Sequence, residues 1–422
     1  MAQIQGAPPP LAEAPPTDAE VAAVHADFIE ANRANDKDRR KAAVQAMVKL
    51  RRREVGHVLT TRAVSDRPFA ERWVAFWSNH LCVSTAFAQR LAPLVGAYER
   101  QAIRPHVFGK FEDMLLASAR HPAMLLYLDN NASVGPDSPA VTRRERKRRK
   151  QPHRRNDINE NYARELLELH TVGVDGGYTQ EDVIQLARVF TGWTFQGPAD
   201  RNDHPLGFRF TPRTHEPGAK TVMGVRYTEA GEAEGVHVLR DLAHRPETAR
   251  HISTKIVRHF VADDPPPAVV ARLAKLWTDT GGDLRRIATA LIHSDEAWTK
   301  DCKKFRTPQD WVVASLRALG TRRVPPLAAG ALNQLRQTLW APKAPKGYDD
   351  VTSAWADPDS LIKRIKSARA FARRLGKSTD PGGLLDVVAS ADASLVRMVR
   401  DPAARPVDRM ALFLASPEFQ WR

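Results

Sequence analysis

The sequence predicts a mostly α-helical protein, a large multi-helix bundle with one small irregular or β-hairpin excursion near residues 194–228. Helical patterning dominates, because apolar residues recur at spacings of three and four while Pro or Gly marks the segment ends. Strand-like alternation is rare; its clearest instance is GFRFT at 207–211, with KTVMGV at 220–225 as the expected partner. Two runs this short form one hairpin rather than a sheet-based fold.

Composition places the chain among globular proteins and excludes several classes. The 422 residues include 64 Lys and Arg against 49 Asp and Glu, a formal net charge of +15, and 42% are hydrophobic. No apolar run reaches the roughly 18 residues of a membrane helix. Two cysteines, Cys82 and Cys302, are too few for a disulfide framework or a Cys-rich zinc site. Phosphate-binding loops, nucleophile elbows and dinucleotide fingerprints are missing from the sequence, so nucleotide hydrolysis and α/β-hydrolase chemistry are not expected.

The chain divides into segments of different character. Thr17, with Glu20 three residues later, has the form of a capping box that begins the first helix. The N-terminus has no secretory-signal pattern, so a cytoplasmic location is the default expectation, with export open if the N-terminus is trimmed. The predicted organisation is a disordered Pro-rich leader over 1–16, an N-terminal helical half over 17–193, an irregular or β excursion over 194–235 and a C-terminal helical half over 236–422.

A second helical segment, ERWVAFWSNHLCVS at 71–84, is apolar on nearly every side and predicts a buried core helix. Asn79 and His80 interrupt it with polar groups. Two interpretations of His80 stay open: a core histidine satisfied by one hydrogen bond, or a catalytic residue at a site that the helix borders.

Residues 143–155, RRERKRRKQPHRR, contain nine Lys or Arg and one Glu, a net charge of +8. One interpretation is a solvated loop; the other is a surface that binds an anionic polymer or glycan with salt-dependent affinity. Nucleic acid is the lesser alternative, because the run has no interleaved aromatic residue and no accompanying DNA-binding motif. The candidate anion-binding residues are Arg143, Arg144, Arg146, Lys147, Arg148, Arg149, Lys150, Arg154 and Arg155.

The segment NENYARELLELH at 159–170 predicts a helix with a polar stripe that includes Arg164, Glu165 and Glu168. A solvated helix face is the simple interpretation. The alternative is a catalytic site, in which the carboxylates act as acid and base, or bind a metal, and Arg164 tunes them. His170 lies near the helix C-terminus, where the helix dipole is expected to raise its proton affinity.

The irregular excursion contributes a candidate metal site. Imidazoles and carboxylates that lie close together on a loop can bind a divalent metal, the one cofactor that the sequence suggests. Chance proximity is the alternative, since the chain has 14 histidines. The candidate ligands are Asp203, His204, His215 and Glu216.

Several of these motifs resemble a known family. FWSNHLCVS at 76–84, NENYARELLELHTVGVDGGYTQEDV at 159–183 and SPEFQWR at 416–422 are similar to the bacterial "domain of unknown function 1800" family. The resemblance implies a large, mostly helical bacterial protein whose gene often lies beside that of a sulfatase-like protein, a candidate partner. It implies no reaction. The chain lacks the Arg-Phe-Gly-type opening common among members, and its basic run falls where relatives vary.

Together these features give three functional hypotheses. The first is an enzyme, hydrolytic and metal-assisted in one version, with a carboxylate and imidazole site between helices 71–85 and 159–170 and the loop 203–220. The alternative is a non-catalytic basic module that binds an anionic glycan, an envelope polymer or a partner protein. A nucleic-acid binder is the third.

Overall fold

The computed structural model describes residues 2–6, 11–141, 158–197, 206–299, 304–376, 380–387 and 392–422. The helices are α1 (Asp18–Arg33), α2 (Lys37–Val64), α3 (Pro68–His80), α4 (Val95–Tyr98), α5 (Phe111–Arg120), α6 (Pro122–Tyr127), α7 (Glu160–Glu165), α8 (Gln180–Val189), α9 (Glu232–His244), α10 (Pro246–Phe260), α11 (Pro267–Thr280), α12 (Leu284–Ile292), α13 (Pro308–Ala318), α14 (Pro326–Gln334), α15 (Pro358–Leu375), α16 (Ala393–Arg400), α17 (Pro406–Ala415) and α18 (Pro417–Gln420). The strands are β1 (Trp193–Phe195), β2 (Phe208–Phe210), β3 (Lys220–Val222) and β4 (Val225–Tyr227).

The predicted fold class, mostly α with a small β excursion, is confirmed. The predicted strand partners are wrong. β2 pairs with β1, and β3 pairs with β4, each antiparallel. The reason is the two-residue turn Met223-Gly224, in which both residues have positive φ, +47° and +81°. Such a turn joins β3 to β4 locally and leaves β2 to pair with the short strand after α8.

Local sequence signals start many of the helices. The Thr17 side chain accepts a hydrogen bond from the Glu20 backbone N–H, as predicted. Thr179 and Asp182 form a complete capping box at α8. Proline is pre-organised for the first helical turn and loses no hydrogen bond there. It opens α3, α6, α10, α11, α13, α14, α15, α17 and α18.

The described part of the N-terminal leader packs against the helices. Ile4 is 1% exposed and belongs to the main core. The guanidiniums of Arg67 and Arg285 donate to the carbonyls of Gln3 and Ile4. These arginines satisfy the polar backbone of a segment that has little structure of its own.

The buried helix predicted at 71–84 is confirmed as α3, which ends at His80. Trp73, Phe76 and Trp77 are at most 1% exposed and pack against one another with ring centroids 5.0–5.9 Å apart. Each such side chain contributes roughly 1.5–3 kcal/mol of burial free energy. α3 therefore holds a fixed place, and residues 79–84 at its end are positioned by it. None of the described helices has the length and apolar character needed to cross a bilayer.

Candidate functional site

The segment after α7 continues as a π-helix, Leu166–His170. In this wider turn each N–H donates a hydrogen bond to the carbonyl five residues back. Such turns occur frequently at functional sites. The Thr171 hydroxyl closes the turn by donating to the Leu166 carbonyl at 2.7 Å. The π turn leaves the carbonyls of Leu169 and His170 for partners from other helices.

Two imidazoles bind those carbonyls. His80 Nε2 lies 3.2 Å from the His170 carbonyl oxygen, and His251 Nε2 lies 3.4 Å from that of Leu169. A carbonyl oxygen only accepts, so both imidazoles carry their proton on Nε2. His80 Nδ1 is consequently an unprotonated acceptor, and it is buried without a hydrogen-bond partner. The end of α3 and the 159–170 segment, expected to meet from sequence, are thus joined directly.

These histidines are neutral at pH 7. Burial, together with the positive charge of Lys255, lowers the pKa of His170 to about 3 and that of His251 to about 4. The same causes lower the pKa of His80 well below its usual value. The expectation that the helix dipole raises the proton affinity of His170 is therefore wrong, because loss of hydration and a nearby ammonium outweigh the dipole.

Lys255, on α10, is the cation at the centre of this region. Its side chain is half-buried and makes no hydrogen bond or ion pair within the part of the chain that the structure describes. Burial lowers its pKa, while Asp350 and Cys82 oppose that effect. An ammonium withdrawn from water is ordinarily paired. An unpaired buried ammonium lacks that stabilisation, so its protonation equilibrium shifts toward the free amine.

The charge of Glu165 acts on both the thiol of Cys82 and the hydroxyl of Tyr127, and Lys255 also acts on Cys82. Burial raises the pKa of Cys82 to about 12, so the thiol stays protonated; Lys255 and Glu165 both contribute to its electrostatic environment. Burial also raises the pKa of Tyr127, with Cys82 and Glu165 adding to the rise. The Tyr127 hydroxyl is buried beside the Cys82 thiol.

Glu165 borders the group at the end of α7. Its half-buried carboxyl has a pKa raised to about 6 by burial and by Glu168, with Arg164 acting in the opposite direction. The Arg164 guanidinium donates a hydrogen bond to the Gln180 side chain at 2.8 Å and forms a longer ion pair with Glu160 at 3.5 Å. Glu168 accepts a hydrogen bond from Tyr178 at 3.3 Å. We call the following set the Lys255 cluster: His80, Cys82, Tyr127, Glu165, His170, His251 and Lys255.

The Pro-rich connection that follows α14 closes over the end of α3. The Asn79 side chain accepts from the Tyr348 N–H at 2.8 Å and donates to the Tyr348 carbonyl at 2.9 Å. The Cys82 thiol donates to the Pro345 carbonyl at 3.0 Å. Gly347 has φ +82°, and a Cβ there would lie 2.4 Å from the Asn79 carbonyl oxygen. Only glycine fits this approach.

His215 and Glu216 occupy a different cluster. His215 Nε2 lies 3.3 Å and Lys220 Nζ 3.0 Å from one oxygen of Glu234 on α9. Glu216 accepts from the Asp137 N–H at 2.8 Å. No hydrogen bond, ion pair or ring contact of these described residues joins them to the Lys255 cluster.

The metal hypothesis gains no support from the described residues, in which no group of three or more His, Cys, Asp or Glu side chains is arranged to hold an ion. Asp203 and His204 lie outside those residues, as does the basic run 143–155 with all nine of its Lys and Arg.

His80, Glu165 and His170 were candidates from the sequence, and the other four of the seven residues of the Lys255 cluster were not. His251 and Lys255 are four residues apart, which places them on the same side of α10. Two ionisable residues at this spacing, beside the apolar stripe of an amphipathic helix, were the available signal. No sequence signal indicated Tyr127, because a tyrosine in an apolar helix is typical of core packing.

Comparison with known proteins identifies the family. The family model described as "Protein of unknown function (DUF1800)" matches residues 2–421, nearly the whole chain. No curated protein and no solved structure matches the chain. Because the family model covers far more than half of the sequence, including every residue of the Lys255 cluster, the chain belongs to the DUF1800 family.

Proposed function

We propose that the protein is an enzyme that performs proton-transfer chemistry, of a hydrolytic type, at the Lys255 cluster. The observation that carries the proposal is the half-buried Lys255 ammonium, which has no partner among the described side chains. Unpaired ionisable groups with displaced pKa values are expensive for a fold, and they concentrate at catalytic sites.

The two ends of the cluster suit opposite roles. A lysine with a lowered pKa has a larger fraction of free amine near neutrality, and that amine can accept a proton. The Glu165 carboxyl, with a pKa raised to about 6, still holds a proton in part of the molecules near neutrality and can donate it. In the proposed step the Lys255 amine takes a proton from a water molecule as its oxygen attacks a carbonyl or similar electrophile. Glu165 gives a proton to the leaving group, so the step balances.

The imidazoles act as positioning residues in this scheme. His80 and His251 donate to the carbonyls at the end of the π turn and so fix the backbone that follows Glu165. Their neutrality keeps additional positive charge away from Lys255. The Cys82 thiol stays protonated because its pKa is raised to about 12. It therefore lines the site as a neutral polar group and is not a nucleophile.

The test uses p-nitrophenyl esters as probe substrates and two variants that remove one end of the cluster each. Lys255→Met and Glu165→Gln should each lower kcat/KM at least a hundredfold while both proteins stay folded. Lys275→Met, which breaks an exposed pair with Asp279, is the matched control and should leave the rate unchanged. Full activity in folded Lys255→Met contradicts the proposal.

A divalent metal does not fit the donors of the described residues, so no step is derived through one. Elemental analysis of the purified protein addresses the remaining sequence-based version, in which Asp203 and His204 join His215 and Glu216. Stoichiometric metal that is lost on replacement of His215 would support that version.

The second candidate function is binding of an anionic polymer or glycan through residues 143–155, which carry a net charge of +8. Such binding weakens steeply with salt, because it depends on counterion release. Deleting 143–155 should abolish it and leave the unfolding transition unchanged. Retention of binding by the deletion variant would contradict this candidate. DNA and RNA serve as comparison polymers in the same experiment.

A further inference from the structure

A cavity of about 250 Å³ opens on a face of α3 different from the one that carries His80. It lies between α3, α13 and the chain around residues 337–350, and the α3 side chains that line it include Arg72, Ala75 and Asn79. These three residues recur at spacings of three and four, which places them on one helical stripe. The cavity borders the Lys255 cluster, because Cys82 and Asp350 line it and both also act on Lys255. The inference drawn from the cavity does not rest on the proposed function.

The side chains that line the cavity carry an excess of positive charge. Five are guanidiniums and three are carboxylates, which gives 5 − 3 = +2, with His259 neutral because burial lowers its pKa. One of the three carboxylates, Glu71, is already held by Arg104 behind the wall at 2.7 and 2.9 Å, and one of the five guanidiniums, Arg62, is held there by Glu99 at 3.0 Å. Leaving out these two groups gives 4 − 2 = +2, the same excess. The lining groups counted are Arg62, Arg72, Arg306, Arg317 and Arg422, against Glu71, Asp310 and Asp350.

Three of these guanidiniums share one carboxylate, Asp310, and Asp350 also acts on two of them, Arg72 and Arg422. Asp310 pairs with Arg422 at 2.6 Å and lies 3.9 Å from Arg72, and the charge of Arg306 also acts on it. Their other bonds go to backbone carbonyls, which carry no net charge. Arg72 and Arg422 both donate to the His259 carbonyl, at 3.0 and 3.1 Å, and Arg306 donates to the Trp421 carbonyl at 2.6 Å.

Burial and repulsion between the guanidiniums both act on the pKa values of these arginines. Burial, followed by repulsion from Arg422, lowers the pKa of Arg72 to about 9 and that of Arg306 to about 10. Arginine rarely departs so far from its ordinary value, which lies above 12. A second negative charge placed among these groups would relieve that repulsion.

We infer that this cavity binds an oxoanionic group, a carboxylate, phosphate or sulfate, of a small ligand. Guanidiniums present paired N–H groups that match two oxygens of such a group. The carbonyls of His259 and Trp421 hold the side chains in place before the ligand arrives, so little side-chain freedom is lost on binding. The volume suits a group of few heavy atoms rather than a polymer.

The competing explanation is that the arginines only anchor the last residues of the chain to α13. A negative charge placed in the cavity by mutation distinguishes anion binding from simple anchoring. Ala314, on α13, lines the cavity; Ala314→Glu supplies an internal carboxylate, and Ala314→Gln is the neutral control of equal size. The probes are sulfate, phosphate and malonate, each measured by calorimetry and thermal shift against chloride at the same ionic strength.

We expect the wild type and Ala314→Gln to bind at least one probe oxoanion and Ala314→Glu to bind it at least tenfold more weakly. The preferred probe identifies which oxoanion the cavity takes. Equal responses to the probes and to chloride, or equal affinities in the Glu and Gln variants, would overturn the inference.

Asp310→Asn provides a second test with the opposite sign. Removing the internal carboxylate should raise the affinity for the probe oxoanion about tenfold, whereas the anchoring explanation predicts lower stability with no gain in binding. If the variant is unfolded in chloride, refolding in the probe oxoanion supports the inference and failure to refold in either salt contradicts it. Lys255→Met removes the proposed catalytic amine and leaves every guanidinium of the cavity in place, so it should still bind the oxoanion. The two proposals therefore fail separately.

Discussion

His80 Nε2 donates to the carbonyl of His170 at 3.2 Å, across 90 residues of chain. This bond joins the end of the most aromatic helix of the core to the end of the π turn. It also fixes the tautomer of His80 and leaves Nδ1 as a buried acceptor without a partner.

The first prediction concerns the two lysines of the two clusters. Lys220 is 2% exposed and pairs with the fully buried Glu234 at 3.0 Å. Lys220→Met should lower the free energy of unfolding by about 3–5 kcal/mol, because it leaves a buried carboxylate with one partner fewer. Lys255→Met should leave stability unchanged or raise it, since Lys255 has no partner to lose among the described residues. Urea denaturation of both variants measures the contrast, and a large loss in Lys255→Met would show an unrecognised structural role.

The second prediction concerns Asn79 and the connection it holds. Asn79→Ala removes both hydrogen bonds to the Tyr348 backbone and should lower the free energy of unfolding by about 2 kcal/mol. Asn333, whose side chain accepts a bond from Thr338 at an exposed position, is the matched control. Asn333→Ala should change stability by less than about 0.5 kcal/mol. Equal effects of the two replacements in urea denaturation would contradict the docking described for this connection.

The third prediction follows from the pKa of Glu165. Because the folded-state pKa is raised from 4.5 to about 6, its contribution to stability is present below pH 4.5 and is lost as the pH rises through 6. Glu165→Gln should therefore match the wild type at pH 4 and be more stable at pH 8, by about 1 kcal/mol after allowance for solvent screening. The exposed Glu181→Gln is the control. A Glu165→Gln variant that is less stable at pH 8 would exclude the raised pKa.

The fourth prediction concerns acid. Burial lowers the pKa of His170 to about 3 and that of His251 to about 4, so their contributions to stability are present above pH 6.5 and fall as the pH decreases below it. His251→Gln keeps a donor for the Leu169 carbonyl but has no proton to gain. Its free energy of unfolding should decline less steeply than that of the wild type between pH 6.5 and 4.5. An unchanged slope would show that His251 is hydrated.

The parts of the fold predicted from sequence are those that local patterns determine. Thr17 and Thr179 cap helices because a hydroxyl meets a backbone N–H three residues away, and neither depends on the rest of the chain. The strand partners were not predictable from alternation alone. The Met223-Gly224 turn, not the similarity of the runs, selects the partner of β3.

The candidate site was predictable only in part, for the same reason. A polar residue within an apolar helix indicated His80, and a polar stripe along a second helix indicated Glu165. Both residues belong to the Lys255 cluster. The sequence does not reveal which other helix packs against these segments, because that depends on the tertiary structure. Lys255, on α10, was therefore not predicted. Burial is also a tertiary fact, and it reverses the effect that the helix dipole alone predicts for His170.

The most direct test of the proposed site is the pKa of the Lys255 amine. Reductive methylation with ¹³C-formaldehyde gives each lysine a resonance that reports its own titration, and Lys255→Arg assigns the one in question. We predict that this resonance titrates below the ordinary lysine value of 10.5. Titration of the Lys255 resonance at 10.5 or above would contradict the account, because an ammonium with that pKa leaves almost no free amine at neutral pH.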